Sequence, residues 1–199
     1  MRRMLVGRRF ALFGLMLWAG AAPAATLAGT VVAVSGPCTA GGRALKRGDA
    51  VQVGDAVDVP AGGKLKLQMA DGSVISVAPG TSVTVARYNV GGAGRDAKLS
   101  LAQGLLRAVV APVAGPSTFE VSTAVGTASM RSADCFIDAQ AGSALVGVWA
   151  GTVDLTSAAT GRTVLIPAHW GTRLAAGRDP EPPRVWAEVQ FDAFGRRTD

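Results

Sequence analysis

The sequence predicts an all-β protein, built either as a twisted β-solenoid-like body or as a sandwich of about a dozen short strands. Three observations predict this class: short runs of alternating polar and apolar residues recur, glycine or proline pairs separate them, and no strong helical period follows residue 25. The 199 residues are 49% hydrophobic and 17% charged, which is too apolar for an intrinsically disordered chain. The 26 glycines show no three-residue period, so they exclude collagen and indicate tight turns.

The first 25 residues are predicted to be a signal peptide of the general secretion type. Four arginines among the first nine residues precede an uncharged apolar run over residues 10–22, which ends in small residues up to Ala24 and Ala25. This order of regions is typical of a secretory signal, and we expect cleavage after Ala24 or Ala25. The alternative is an uncleaved membrane anchor. A cleaved signal predicts a periplasmic or secreted protein.

Signal cleavage also changes the charge balance and the possible partners. The chain has 20 basic and 14 acidic side chains, and removal of the four N-terminal arginines leaves 16 basic side chains against the same 14. A net charge of about +2 without a Lys/Arg cluster does not predict nucleic-acid binding. No later stretch reaches the ~20 apolar residues of a membrane-spanning helix.

The strands are predicted from alternation between turns, most clearly in one hairpin. Lys64–Met69 alternates polar with apolar residues, Asp71-Gly72 forms a turn, and Val74–Val77 resumes the pattern. Comparable runs occur along the chain at 30–34, 51–59, 82–87, 98–101, 105–110, 118–122, 128–130, 135–139, 144–149, 152–156 and 162–166.

The C-terminal residues 176–199 are predicted to be a proline-rich linker followed by an aromatic tail. Residues 179–183 read Asp-Pro-Glu-Pro-Pro, which favours neither helix nor strand interior. The segment 185–194 could form a strand or a short helix. Its aromatic residues Trp186, Phe191 and Phe194 are candidates for a partner-binding handle, and packing onto the sheet is the alternative.

The two cysteines and the single histidine leave little room for catalysis. Cys38 and Cys135 could form a disulfide in an oxidising compartment, or could be two buried free thiols. Cys135 could instead act with His169 as a catalytic dyad, with Arg131 or Arg173 as an oxyanion donor. The residues around Cys135 carry no signature of such an enzyme, so we expect no enzymatic activity. No cofactor or metal motif is present, because one histidine and two distant cysteines are too few ligands.

The ordered series of turns and strands carries a family resemblance. Its matching pieces, besides the hairpin turn, are residues 29–36, 45–55, 77–81, 99–107, 119–123 and 149–153. On these residues the stretch 26–175 resembles the FecR-like domain, the periplasmic domain of the iron-dicitrate sensor family. The resemblance implies a twisted, solenoid-like body. It also implies a structural or binding role for the residues at family motif positions, which are Asp71, Gly72, Gly104, Arg107 and Arg131.

Two departures from the family shape the functional expectation. Ser132 follows Arg131 where the family usually has glycine, and only about ten residues precede the apolar N-terminal run, too few for the cytoplasmic anti-sigma segment of membrane-spanning members. The resemblance therefore implies a stand-alone exported module for protein interaction and signalling, with another periplasmic or outer-membrane protein as its partner. Binding of cell-wall glycan, including peptidoglycan, or of a small ligand is the alternative.

Overall fold

The computed structural model describes residues 26–92 and 94–198, and the predicted signal peptide lies outside them. The all-β prediction is confirmed. Within the described residues the chain forms β1 (Leu27–Ser35), β2 (Thr39–Ala40), β3 (Arg43–Ala44), β4 (Ala50–Gln52), β5 (Ala56–Val59), β6 (Lys64–Met69), β7 (Val74–Val77), β8 (Thr81–Gly91), β9 (Gly94–Val110), β10 (Ser117–Ser122), β11 (Gly126–Met130), β12 (Ala133–Gln140), β13 (Ser143–Ser157), β14 (Thr163–Pro167), β15 (Trp170–Ala175), β16 (Arg184–Val185) and α1 (Glu188–Thr198).

The strands form two layers that share two long strands. The first layer has the order β4-β1-β6-β7-β9-β12-β13-β15-β16, and the second has the order β3-β2-β5-β8-β9-β10-β11-β13-β14. All neighbours pair antiparallel except β9 and β10, which are parallel. The predicted hairpin is confirmed as β6 and β7, joined by the turn at Asp71-Gly72.

Two glycines allow the shared strands to pass from one layer to the other. The sequence predicts separate strands on either side of Gly104 and Gly151, whereas the structure has one continuous strand through each. Both glycines have positive φ, +92° and +81° respectively. A Cβ atom on Gly104 would lie 2.3 Å from the Oγ1 of Thr81. Glycine therefore supplies both the backbone conformation and the space that the crossing of β9 requires.

Alternation along each strand sends one set of side chains between the layers and the other outward. The interlayer core is continuous and aliphatic, with two aromatic side chains at one end; it includes Val31, Leu67, Tyr88, Leu99, Phe119, Ile137, Val148 and Leu155. A second, smaller cluster lies on the outer face of the first layer, where α1 packs. These two clusters explain why the chain buries apolar residues on both sides of β12.

The C-terminal residues belong to the folded body, which corrects two expectations. Segment 176–199 is not only a linker and tail, because β16 pairs with β15 and α1 lies on the sheet. A partner-binding handle at Trp186, Phe191 and Phe194 would need exposed side chains, whereas Trp186 and Phe191 are buried and Phe194 is half-buried against the same cluster. Packing onto the sheet, the alternative, is what the structure has, since large aromatic surfaces gain most from leaving water.

Candidate functional site

A buried ion pair anchors the β6–β7 turn at one end of the sandwich. The carboxylate of Asp71 accepts hydrogen bonds from the backbone N–H of Ser73 at 2.9 Å, the Ser73 hydroxyl at 2.8 Å and the Tyr88 hydroxyl at 2.7 Å. It also pairs with the guanidinium of Arg95, and neither charged side chain has any exposed surface. The turn residue Gly72 has φ +86°. The motif pair Asp71-Gly72 therefore shapes a turn and neutralises a buried cation.

Arg95, which the sequence analysis missed, connects four segments of the chain. Its guanidinium donates to the carbonyl of Ala111 at 2.9 Å, to the Ser117 hydroxyl at 2.9 Å and to the carbonyl of Arg131. Its Nε is the single buried side-chain nitrogen or oxygen without a partner among the described residues. No signal in the sequence distinguishes Arg95 from a solvated strand residue, because its partners are distant along the chain.

The environment of this ion pair shifts two pKa values in opposite directions. Burial by itself raises the pKa of the Asp71 carboxyl, but hydrogen bonds from Arg95, Tyr88 and Ser73 outweigh it and lower the pKa below its ordinary value. Burial, together with the hydrogen bond to the Asp71 carboxylate, raises the pKa of Tyr88 far above its usual range. At neutral pH Asp71 is therefore ionised and Tyr88 is a neutral hydrogen-bond donor.

An open groove of about 500 Å³ lies above the ion pair. Its walls include Leu27, Tyr88, Val90 and Pro116, and it lies between the start of β1 and the far end of the β8–β9 hairpin. Leu27 and Val90 are two of the few large apolar side chains that are exposed. The volume falls within the range of small-molecule sites, and exposed apolar walls are typical of such sites.

The two motif arginines hold neighbouring strands and turns. Arg107 forms a two-pronged ion pair with Asp134, at 3.0 Å and 2.9 Å, and its guanidinium lies 4.4 Å from the ring centre of Trp149. Arg131 donates to the carbonyl of Gly115 at 3.1 Å. Arg95 thus brings Asp71 and the backbone of Arg131 together, whereas Gly104 and Arg107 lie further along β9, and each motif position supports local structure.

The structure does not bring together Cys135 and His169, the two residues of the alternative catalytic dyad. Cys135 lies in the interlayer core, 3.5 Å from the sulfur of Met130, whereas His169 is exposed in the turn between β14 and β15 and its ring contacts Phe191 on the outer face. Burial, reinforced by the charge of Asp134, raises the pKa of the Cys135 thiol far above its usual range. A fully buried, protonated thiol on the opposite side of the sheet is not positioned for attack. Arg173 contacts Ser143 at 3.5 Å.

Both cysteines are free and buried, so the disulfide alternative is not what the structure has. The Cys38 thiol contacts the carbonyls of Ser35 at 3.4 Å and Lys64 at 3.6 Å, near the start of the first layer. Cys135 lies in β12, between β9 and β13. Each thiol is packed among its own neighbours, and burial raises the pKa of both.

One border of the second layer offers unpaired backbone groups. Among the described residues β14 pairs only with β13. Its length of five residues is greater than that of the strands at the other borders, β3, β4 and β16, which have two or three residues each. The strand reads Thr-Val-Leu-Ile-Pro, with no charged side chain, and Leu165 is 57% exposed. Charges and bulges are common protection for an edge, and only Pro167 protects this one.

The register of β13 and β14 shows which groups face outward. The N–H of Ser157 donates to the carbonyl of Arg162 at 2.9 Å, so this pair and every second pair after it form the ladder. Thr163, Leu165 and Pro167 then lie at the alternate positions. Their carbonyls, and the N–H groups of Thr163 and Leu165, point away from β13. The edge can therefore accept an added strand.

Comparisons with known proteins agree with this fold. A family model described as FecR protein matches residues 55–154, which include all five motif positions. Two crystal structures of a candidate anti-sigma factor from Parabacteroides distasonis have a similar fold, at 17% identity with a TM-score of 0.56 and at 15% identity with a TM-score of 0.57. Each match covers 70% of this chain and 63% of the other, so this chain spans less than two thirds of those proteins. No curated protein matches the chain.

Proposed function

Since the chain belongs to the FecR family, we propose that it is an exported, non-catalytic module that serves signalling in the bacterial cell envelope by binding another periplasmic or outer-membrane protein. The observation that carries the interaction role is the unpaired edge of β14. A partner strand added there would satisfy outward N–H and carbonyl groups that otherwise bond only to water.

Export rests on the sequence of the first 25 residues. The arginine-rich start, the apolar run and the small residues before Thr26 have the order of a secretory signal. The described domain begins directly after this segment, with β1 from Leu27. Among the described residues no helix is long and apolar enough to cross a membrane.

The absence of a catalytic role is supported by the positions of the reactive side chains. Cys135 is buried in the core and His169 lies on the other side of the sheet. The buried Asp71–Arg95 pair fixes turns, and its charged atoms have no exposed surface on which to meet a substrate. A binding module needs a stable surface and no reactive side chain.

The edge is tested by photo-crosslinking in the native envelope, with a photoreactive residue at position 163 and a control at Val189, an exposed site on α1. We expect one envelope protein to be captured from position 163 and not from position 189. Leu165→Pro removes an outward N–H without removing a ladder bond to β13, so capture should fall at least tenfold. Leu165→Ala keeps that N–H and should retain most of the capture.

A second variant covers the case in which proline disturbs the strand. Leu165→Lys keeps the N–H and places a charge on the edge, which disfavours strand addition. Equal capture by wild type, Leu165→Pro and Leu165→Lys, all with unchanged circular dichroism, would refute binding at the edge. Sequencing the mature N-terminus in the same sample tests export, since we expect it at Ala25 or Thr26.

Binding of a cell-wall glycan or small ligand is a second candidate, favoured by the groove beside Leu27 and Val90. Co-sedimentation with purified peptidoglycan tests it. Retention that Val90→Ser abolishes, without crosslinking to any protein, would support this candidate in place of protein binding. Retention unaffected by Val90→Ser would remove the groove as its site.

A further inference from the structure

The C-terminal helix α1 covers an aromatic groove on the outer face of the first layer. We define the aromatic groove by Leu105, Phe136, Leu145, Gly147 and Trp149, which lie on β9, β12 and β13. At its far end α1 reaches β6, where the Nζ of Lys64 lies 3.5 Å from the carbonyl of Arg196. The helix therefore crosses the strands of this layer and does not run along one of them.

The floor of the groove is shaped for aromatic rings. Gly147 on β13 pairs directly with Gly171 on β15. A Cβ atom on Gly147 would lie 2.4 Å from the ring of Phe136, and one on Gly171 would lie 2.4 Å from the ring of Trp186. The missing side chains let both rings lie flat against the sheet. Phe136 in turn forms the surface that meets the helix.

Two aromatic side chains of α1 occupy the groove, and a basic side chain on the same face lies beside it. Phe194 stacks on Phe136 with ring centres 3.9 Å apart, and Phe191 lies 5.4 Å from Trp149. One turn further, a guanidinium nitrogen of Arg197 lies 3.3 Å from a carboxylate oxygen of Asp138. Positions 191, 194 and 197 are three residues apart, which is the spacing of a single helix face.

An ion pair between Arg197 of α1 and Asp138 of β12 lies beside the aromatic groove. The Asp138 side chain is only 5% exposed, and Arg197 is its one ion-pair partner among the described residues. The adjacent Arg196 is also exposed, but it forms no ion pair with any residue that the structure describes. A buried carboxylate beside an apolar groove selects a basic residue at one position of whatever helix lies there.

The attachment of α1 is suited to release. Its 11 residues are too few for a stable isolated helix, so its order depends on the groove. The connection before β16, residues 176–183, contains three prolines and one glycine and has no helix or strand. Val189, on the opposite face of α1, is 67% exposed. The five residues that define the groove lie within the family match at 55–154, whereas the helix that covers it lies outside.

From these contacts we propose that the aromatic groove is a docking site for an amphipathic helix of a partner protein, and that α1 occupies it in the free chain until displaced. The matching partner helix carries two aromatic residues three positions apart and an arginine or lysine three positions further on. This surface is separate from the β14 edge and does not depend on it.

A labelled peptide of residues 184–198 serves as the probe, added to the full chain and followed by fluorescence anisotropy. In wild type, α1 competes with the peptide. Arg197→Glu weakens only the binding of the chain's own α1 to the groove. We therefore expect the peptide to bind this variant at least tenfold more tightly than it binds wild type. The matched control Arg196→Glu has the same charge change without the Asp138 contact and should bind as wild type does.

Equal peptide binding by wild type and both variants would overturn the proposal. Light scattering tests whether Arg197→Glu forms a dimer that dissociates when the peptide is added. Such a dimer would show that the groove binds a second copy of this chain, and it would refute docking of a different partner protein. Hydrogen exchange of the unmodified chain is independent of the variants. We expect amides of α1 to exchange at least tenfold faster than those of β12, and exchange of both at one rate would contradict displacement.

Discussion

Replacing Asp71 by asparagine is expected to lower the free energy of unfolding by about 3–5 kcal/mol, because it leaves the Arg95 guanidinium buried without its counter-ion. Both side chains have no exposed surface, so water cannot compensate for the lost charge. Asparagine keeps the size of the side chain, which separates the effect of charge from that of packing.

The loss is measured by urea unfolding followed by circular dichroism, with thermal unfolding as a second readout. For a chain of this size 3–5 kcal/mol corresponds to a fall in Tm of about 6–20 °C. Asp154→Asn is the matched control, since Asp154 is exposed and forms no ion pair among the described residues. A loss below about 1 kcal/mol in Asp71→Asn, similar to the control, would refute the assignment of a buried ion pair.

The pH dependence of stability gives a second test of the same group. The pKa of Asp71 is lower in the folded state than its ordinary value of 3.8, so its contribution is present above that pH and is lost as the pH falls through the folded-state pKa. Wild type should therefore lose stability in acid more steeply than Asp71→Asn. Parallel pH profiles for the two proteins would contradict the lowered pKa.

Two other predictions test the bend of β9 at Gly104 and the state of the two thiols. Gly104→Ala places a Cβ atom against Thr81 at positive φ and should reduce stability by about 1–3 kcal/mol in urea unfolding, whereas Gly91→Ala, with open space around it, should change little. If the two variants unfold alike, the bend does not require glycine. Cys38 and Cys135 should resist a thiol reagent in the native protein and give two reactive thiols in denaturant; no thiol in denaturant would indicate a disulfide.

The sequence predicts the strands well because alternation is a local property. The run Lys64–Met69 and the turn at Asp71-Gly72 needed no information from elsewhere in the chain, and the structure has a hairpin there. The same local view divided β9 at Gly104 and β13 at Gly151, where the chain bends but the strand continues. The sequence alone does not show whether such a glycine ends a strand or lets the strand change direction and continue.

The candidate surfaces were much less accessible to sequence reasoning. The sequence indicates a turn at Asp71, but the pairing of Asp71 with Arg95, 24 positions away, does not follow from the neighbours of either residue. The sequence shows Trp186 and Phe191 in an aromatic segment, yet their burial depends on the glycines of β13 and β15 that leave room for aromatic rings on the sheet. The β14 edge became visible only once the order of strands was known.

The sequence by itself determined the fold class, the position of most strands and turns, and the resemblance to the FecR family, because polar and apolar periodicity acts over a few residues. Only the tertiary structure decided which strands share a layer, which strand lies at a border, and which surface α1 covers. Those features depend on long-range contacts, whose partners are chosen by packing and by the neutralisation of buried charge and not by adjacent residues.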